Sequence, residues 1–275
     1  MLWQRVITAL ILVPLVLFGL IYGGTQWVAL VTGIIIAVAA REWANLSKLT
    51  KPYQYICYIL VILLCLAGTY FIRQQQFSML VIYAGVIWWL MASGLIIKAE
   101  ISGELPLLNR QVKVVAGMLT LVPSWLGLVI LHRGGDFGDR FLLIFLFMLI
   151  WSADIFGYFC GKKWGKHKIA PLVSPGKTWQ GAAGAMIGCS AISIGFSINK
   201  QFQLSETIIF LVICLATVLI SIIGDLMESL LKRNANVKDS GTLLPGHGGV
   251  LDRIDSFTAA SPVFLALISL SGVYT

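Results

Sequence analysis

Nine long apolar stretches, at roughly 6–22, 27–40, 55–72, 78–97, 112–131, 141–160, 181–198, 207–230 and 256–273, constrain what this chain can fold into. Most approach or reach the roughly 20 residues that cross a ~30 Å hydrocarbon core as an α-helix. The runs are continuous rather than alternating, which excludes the dyad pattern of a membrane β-barrel. Backbone N–H and C=O groups in lipid must be paired within the segment, so each stretch is expected to be helical. Across 275 residues, 58% are hydrophobic and 12% charged, a balance that excludes a soluble domain. The expected fold is an all-α polytopic integral membrane protein with about nine transmembrane helices.

Breaks fall where turn chemistry predicts them, at Gly23-Gly24, Lys51-Pro52, Gly134-Gly135, Pro171, Pro175-Gly176 and Pro245-Gly246. The second stretch is short and is expected to be tilted or only partly inserted. The first follows Arg5 and resembles a signal peptide, but it is long for that role and lacks a clear small-x-small cleavage site, so it reads as an uncleaved helix.

Orientation follows from the distribution of Lys and Arg. With the N-terminus inside and strict alternation, all of the 20 basic residues fall inside except Arg73, Arg133, Arg140 and Lys200. The N-terminus is therefore expected in the cytoplasm and the C-terminus on the far side. Trp3, Trp27, Trp43, Trp164 and Trp179 lie near segment ends, as an aromatic belt requires. The two long polar connections, 161–180 and 231–255, then share the cytoplasmic face, where nucleotides are available. Residues 1–140 read as supporting helices that also dimerise, and 141–275 as the catalytic region.

Five cysteines lie in or beside apolar stretches without a C-x-x-C pair, and the three histidines are far apart, so neither a disulfide framework nor a zinc site is suggested. The acids are more informative. Asp154 lies inside the sixth stretch; Asp225 and Glu228 lie near the inner end of the eighth. A charge at such depth costs several kcal/mol unless paired, hydrated or metal-bound. Glu228 has a bland explanation in an i,i+4 pair with Lys232. Asp225 lies deeper and reads as a metal or proton site. Asp252 and Asp255 are three apart near the start of the last stretch. Asp255 could cap that helix or serve as a first-turn acid, which leaves Asp252 without a structural reason. If the last two helices are neighbours, Asp225 and Asp252 can meet, and two carboxylates with water and phosphate oxygens are a typical Mg²⁺ environment.

Around these acids lies the chemistry of anion handling. His247-Gly248-Gly249 gives a flexible backbone whose amides can face a phosphate. Lys232, Arg233, Lys238 and Arg253 flank it, interleaved with Asp239, Asp252 and Asp255. In 161–180, Lys162, Lys163, Lys166, Lys168, Lys177 and His167 suit a polyanion such as a nucleotide triphosphate or a lipid phosphate. Gly176-Lys177-Thr178 looks like the end of a P-loop, but Pro171 occupies the place of the earlier glycine and no strand is expected before it, so that reading fails. Asp136 and Asp139 read as solvated charges.

The run Ser229-x-x-Lys232-Arg233 through Lys238-Asp239-Ser240-Gly241, Pro245-Gly246-His247-Gly248-Gly249 and Asp252-Arg253-x-Asp255 resembles the signature of the phosphatidate cytidylyltransferases. The likeness extends to Ser174-Pro-Gly-Lys177-Thr178-Trp-Gln-Gly181, to Gly161-Lys162 with Gly165-Lys166-His167-Lys168, to Gly224-Asp225-x-x-Glu228-Ser229 and to Asp154. The resemblance implies an enzyme that condenses CTP with phosphatidic acid to give CDP-diacylglycerol and pyrophosphate. It implies Mg²⁺ with K⁺ as a second ion, a homodimer, no nucleic-acid partner, and a bacterial inner membrane with the site facing the cytoplasm. By motif position, Asp225 and Asp252 are the metal pair supported by Asp255, with Asp154 and Glu228 as further metal candidates. Arg233 and His247 join Asp225, Asp252 and Asp255 on the expected catalytic list. Lys162, Lys166, His167, Ser174, Lys177, Thr178, Ser229, Lys232, Arg233, Lys238, Asp239, Gly248, Gly249 and Arg253 are expected at the substrates. An ion- or proton-coupled transporter is the alternative, and would use Asp154, Asp225 and Glu228; it explains the gathering of lysines poorly.

Overall fold

A computed structural model describes residues 16–133, 140–243 and 248–273. His247, Arg5, Trp3, Asp136 and Asp139 lie outside the described residues. Helix α1 is described over 16–22. It is followed by α2 (Thr25–Leu46), α3 (Pro52–Ile72), α4 (Phe77–Ser102), α5 (Arg110–Arg133) and α6 (Arg140–Trp164). Two short strands, β1 (Lys168–Ala170) and β2 (Ser174–Thr178), precede α7 (Trp179–Asn199), α8 (Leu204–Ala235) and α9 (Leu251–Ser271). Among the described residues, eight helices, α2 to α9, are long and apolar enough to cross a membrane.

Every expected segment that lies within the described residues corresponds to one helix, but boundaries moved. The second is not short: α2 has 22 residues and runs past the expected end to include Arg41, Glu42 and Trp43. Helix α9 starts at Leu251, so Asp255 lies inside it and is not its cap. Trp43 does not belong to a belt. It is buried and donates its indole N–H to the Lys113 carbonyl at 2.7 Å, whereas Trp27, Trp164 and Trp179 are exposed.

Contacts between helix ends give the topology. At one end of the bundle, α2 and α4 finish beside the polar connections: Glu42 meets the amides of Val250 and Leu251, and Glu100 meets those of Leu172 and Val173. At the other end, His132 of α5 bonds to Leu20 and Thr25, and Arg140 of α6 to Ile21. The α2–α3, α4–α5, α6–α7 and α8–α9 connections therefore share one face, which carries most of the basic side chains.

Helices α5 and α9 form the interior. Their crossing needs a small residue, since a Cβ on Gly127 would lie 2.5 Å from Ser261 Oγ; α4 approaches α5 in the same way, where a Cβ on Gly85 would lie 2.6 Å from Pro123 Cβ. Close approach of this kind is how helices associate where lipid is as apolar as leucine. Pro123 and Pro262 interrupt the hydrogen bonding of α5 and α9, and Ser261 Oγ donates to the Ser124 carbonyl at 2.9 Å across the crossing. The outer helices turn leucine, isoleucine and phenylalanine outward, among them Leu64, Phe71 and Ile187.

The β1–β2 hairpin was not foreseen in the connection 161–180. It pairs Lys168 with Thr178 and Ala170 with Ser174, with an irregularity between. Pro175 is tolerated because a two-stranded ribbon is all edge. Helix α6 continues to Trp164, so Lys162 and Lys163 belong to its last turn, where cations oppose the negative end of the helix dipole.

Candidate active site

Four elements build the site: the inner halves of α6 and α8, the hairpin with the start of α7, and the first turns of α9. Glycines bring α6 and α7 together. A Cβ on Gly184 would strike Cys160, and one on Gly181 would lie 2.8 Å from the Gly157 carbonyl. Thr178 ends β2 and caps α7, accepting the Gly181 N–H at 3.1 Å. That gives Thr178, expected at substrate, a structural role as well. Helix α8 reaches α9 through Gly224, where a Cβ would lie 2.6 Å from the Asp255 carbonyl. It stops at Asn236, whose left-handed conformation allows the last amides to close on Lys232 and Arg233.

Between α6, β2, α7 and α8 opens a cavity of about 410 Å³. Asp154, Tyr158, Lys162, Lys177, Thr178, Ser221 and Asp225 line it, with Ser256 of α9. Asp154 and Asp225 each sit roughly 15 Å along the helix from its inner end, at 1.5 Å per residue, so the cavity carries charge well into the bundle. Lys177 reaches across from the hairpin. Its Nζ lies 2.6 Å from Asp225 Oδ2 and donates to the Ile222 carbonyl at 3.2 Å. Ser229 Oγ approaches Asp225 Oδ1 at 3.5 Å. Asp154 is within electrostatic range of Lys177, Asp225 and Arg253.

A second cluster lies nearer the basic face. Asp252 is a hub. Its Oδ1 meets Lys232 Nζ at 2.6 Å, and its Oδ2 accepts from Ser240 N at 2.9 Å, Ser240 Oγ at 2.9 Å and Gly249 N at 2.8 Å. Glu228 forms the expected i,i+4 pair with Lys232 at 3.5 Å. It is also buried, and neither carboxylate oxygen has a hydrogen-bond partner among the described residues. Asp255 lies between the clusters, within electrostatic range of both Asp225 and Glu228.

Asp225 and Asp252 were expected to meet if the last two helices are neighbours; α8 and α9 are neighbours, and the two acids hold different partners. Both face the same end of neighbouring helices, but each holds its own lysine. The amide of Gly249 is likewise taken by Asp252 rather than aimed at an external anion. Gly248 adopts a left-handed backbone, φ 81°, which glycine accepts without strain. Arg233 donates Nε–H to the Val173 carbonyl at 3.4 Å, tying α8 to the hairpin turn. Lys238, Asp239 and Arg253 are exposed near this end. The ring of His167 faces the Gln180 side-chain Nε2 at 3.0 Å, and Gln180 Oε1 accepts the amides of Lys166 and His167, which steers these residues to the rim. Ser174 opens β2 at the hairpin turn.

Two positions escaped the sequence reading. Glu42 and Glu100 each close an α-helix of the first half and accept backbone amides from a polar connection of the second. Each looked like an ordinary charge at a helix end, and its partners lie too far along the chain for any local pattern to reveal them.

The donor set suits a hard divalent cation: all its candidate ligands are carboxylate oxygens, and those of Glu228 are buried, with Lys232 at 3.5 Å and Asp255 beside them. No three His, Cys, Asp or Glu side chains are gathered at metal-binding distance among the described residues. Such a cation would therefore take part of its shell from water or a bound phosphate, as Mg²⁺ commonly does. The arrangement as a whole can hold a polyanion against lysines while keeping carboxylates within reach.

Residues 3–271 match the sequence profile of the cytidylyltransferase family. The chain is 38% identical over 273 residues to the phosphatidate cytidylyltransferase of Pseudomonas aeruginosa, covering 99% of this chain and 98% of that protein. It is 37% identical over 281 residues to the phosphatidate cytidylyltransferase of Haemophilus influenzae, covering 96% of this chain and 97% of the other. With that of Bacillus subtilis it shares 40% identity over 138 residues, about half of each chain.

Proposed function

Because this chain belongs to the cytidylyltransferase family, we propose that it transfers the cytidylyl group of CTP to phosphatidic acid, releasing pyrophosphate and leaving CDP-diacylglycerol in the membrane. The observation that carries the reading is the 410 Å³ cavity between apolar helices, with Lys177 paired to Asp225 inside it, in a chain alike over its full length to proteins bearing that enzyme's name. A lipid phosphate enters such a recess from the bilayer and a nucleotide from water, so neither substrate leaves its own phase.

An oxygen of the phosphatidate phosphomonoester attacks the α-phosphorus of CTP. The bond from that phosphorus to the bridging oxygen of the β-phosphate breaks, and its electron pair leaves with pyrophosphate. The nucleophile is already an anion, so the chain's task is to bring two polyanions together and to stabilise the charge that develops. Lys177 and Lys162 line the cavity and supply cationic donors to phosphate oxygens. Lys177 must exchange part of its contact with Asp225 for substrate. Lys166 and Lys238 extend the positive field over the rim and raise the local concentration of nucleotide, and the ring of His167 offers a hydrogen-bonding group beside them. Lys232, held by Asp252 and Glu228, keeps the α8–α9 junction in place.

Mg²⁺ would be held by Asp225 with one neighbouring carboxylate, the rest of its shell coming from water and phosphate oxygens; Asp154, Glu228 and Asp255 are the neighbouring acids. When bound, the ion neutralises triphosphate oxygens and eases departure of the leaving group. Asp252 reaches such an ion only by releasing donors it holds. K⁺ as a second ion and a homodimer belong to the same reading. So does a bacterial inner membrane with the basic face toward the cytoplasm, which the asymmetry of lysine and arginine supports. No observation favours the transporter.

The test incubates purified protein with phosphatidate, Mg²⁺ and CTP labelled at the α-phosphorus. A lipid-soluble cytidine product with stoichiometric pyrophosphate is expected, and chelation of Mg²⁺ should abolish it. Folded protein that forms neither product under these conditions overturns the reading.

A further inference from the structure

We infer that Glu42, in the membrane helix α2 and outside the lining of the acidic cavity, is a positioning residue for the transfer reaction: it supplies the N-terminal cap of α9 and thereby sets where Asp252 and Asp255 stand. The inference rests on the proposed cytidylyl transfer for its kinetic consequence, but not for its geometry.

Helix α9 begins without a cap of its own. Val250 occupies the N-cap position and offers no side-chain acceptor. The amides before and within the first turn still need partners, because the opening N–H groups of a helix have none inside it. Glu42 provides them from another helix. Its Oε1 accepts from Val250 N at 3.0 Å and its Oε2 from Leu251 N at 2.7 Å. The preceding amide, Gly249 N, goes to Asp252. Three consecutive amides are thus shared between two carboxylates. Ser240 links the two: its hydroxyl lies 2.9 Å from Asp252 Oδ2 and 3.2 Å from Glu42 Oε2.

Three observations say that this is a built site. Glu42 is 5% exposed, and no cation is paired with it among the described residues, so its charge depends on those amides and on the positive end of α9. The chain around it has been cleared to the width of a hydrogen: a Cβ on Gly241 would lie 2.5 Å from Glu42 Oε1, and one on Gly249 would lie 2.6 Å from Glu42 Oε2. Finally, the neighbouring Trp43 is locked to the Lys113 carbonyl of α5, which fixes the end of α2 that carries the carboxylate. A helix N-terminus that could bind a phosphate is therefore already filled by protein acids. Without Glu42 the start of α9 loses two of its three anchors, and Asp252 loses the register that lets it reach Lys232, Ser240 and Gly249 together.

The experiment uses the full-length protein in lipid nanodiscs and compares wild type with Glu42→Ala and Glu42→Gln. Glu42→Ala should lower kcat at least roughly 20-fold with KM for CTP changed less than about threefold, since misplacing groups by an ångström commonly costs up to ~10²-fold. Glu42→Gln retains one carbonyl acceptor and the packing but turns its NH₂ toward one of the backbone N–H groups, and should recover to an activity between that of Glu42→Ala and wild type. Independently of turnover, hydrogen exchange in a peptide covering 249–254 should accelerate in Glu42→Ala, while exchange in 168–178 stays as in wild type. Unchanged exchange at 249–254 would overturn the inference. So would a kcat per folded molecule within twofold of wild type, the result a purely structural role predicts. Failure of wild type itself to make CDP-lipid would count against the proposed reaction, and the exchange measurement would still decide the role of Glu42.

Discussion

The two polar connections of the second half solve the same problem in different ways. The α6–α7 connection holds itself: β1 and β2 pair backbone to backbone, Trp179 N–H bonds to the His167 carbonyl at 2.9 Å, and Gln180 gathers two more amides. Glu100 adds a brace at the turn, accepting from Leu172 and Val173. The described part of the α8–α9 connection has little regular pairing, and its order comes from the side chains of Glu42, Asp252 and Ser240. Backbone ladders distribute load over many bonds, so deleting one side chain costs little. A connection held by two carboxylates concentrates the same load on a few atoms.

That contrast can be broken in several places. The largest effect is expected from Asp252→Asn, which removes the ion pair with Lys232 and places an amide NH₂ or a weaker acceptor against donors that need a carboxylate. Losing a buried charge partner costs about 3 kcal/mol or more, and turnover should fall roughly 100-fold or further while the protein still inserts and elutes normally; a steady-state assay of CDP-lipid formation on detergent-purified protein checks it. Next comes Lys177→Ala on the hairpin. It should cut kcat/KM for CTP by roughly 10- to 100-fold, the value of one or two charge-assisted hydrogen bonds. Unchanged constants for both substrates would remove Lys177 from the site.

A matched glycine pair probes the two connections directly. A Cβ on Gly249 would lie 2.2 Å from Ser240 Oγ and 2.6 Å from Glu42, whereas one on Gly176 meets nothing within 4 Å. Gly249→Ala should therefore reduce activity roughly tenfold, in line with the 1–3 kcal/mol cost of overpacking, while Gly176→Ala stays near wild type. Equal effects at both sites would erase the distinction drawn here. The smallest change is expected for Glu100→Ala. The hairpin keeps its ladder, so kcat should drop by no more than about fivefold, the scale of a single hydrogen bond. A loss matching that of Glu42→Ala would mean that both connections depend equally on the first half.

Much of this was legible in one dimension. Expected segments and observed helices correspond because the length of an apolar run and the thickness of a bilayer are both local quantities. The acids Asp154, Asp225, Glu228, Asp252 and Asp255 stood out because charge in or beside such a run demands a reason, and the structure gathers them at one end of the bundle. Errors came where a partner was distant. Asp255 was read as a cap or first-turn acid of α9 because it precedes Ser256, yet the helix starts earlier, at Leu251, with Asp252 in its first turn and Glu42 of another helix on its opening amides. The 161–180 connection was expected to be a polar loop because its proline and glycine disguise a hairpin that pairs only as an edge ribbon.

The sequence by itself determined that this chain spans a membrane, how many times it tends to do so, which face collects its cations and which acids need explaining. Those properties depend on residue type and spacing, and any chain with this pattern in lipid must satisfy its backbone the same way. Only the tertiary structure decided which lysine holds which carboxylate, that Gly249 serves Asp252, and that α2 caps α9. Those choices depend on which helices lie side by side, and that is set by close approaches at Gly85, Gly127 and Gly224, whose effect is visible only when both partners are in place.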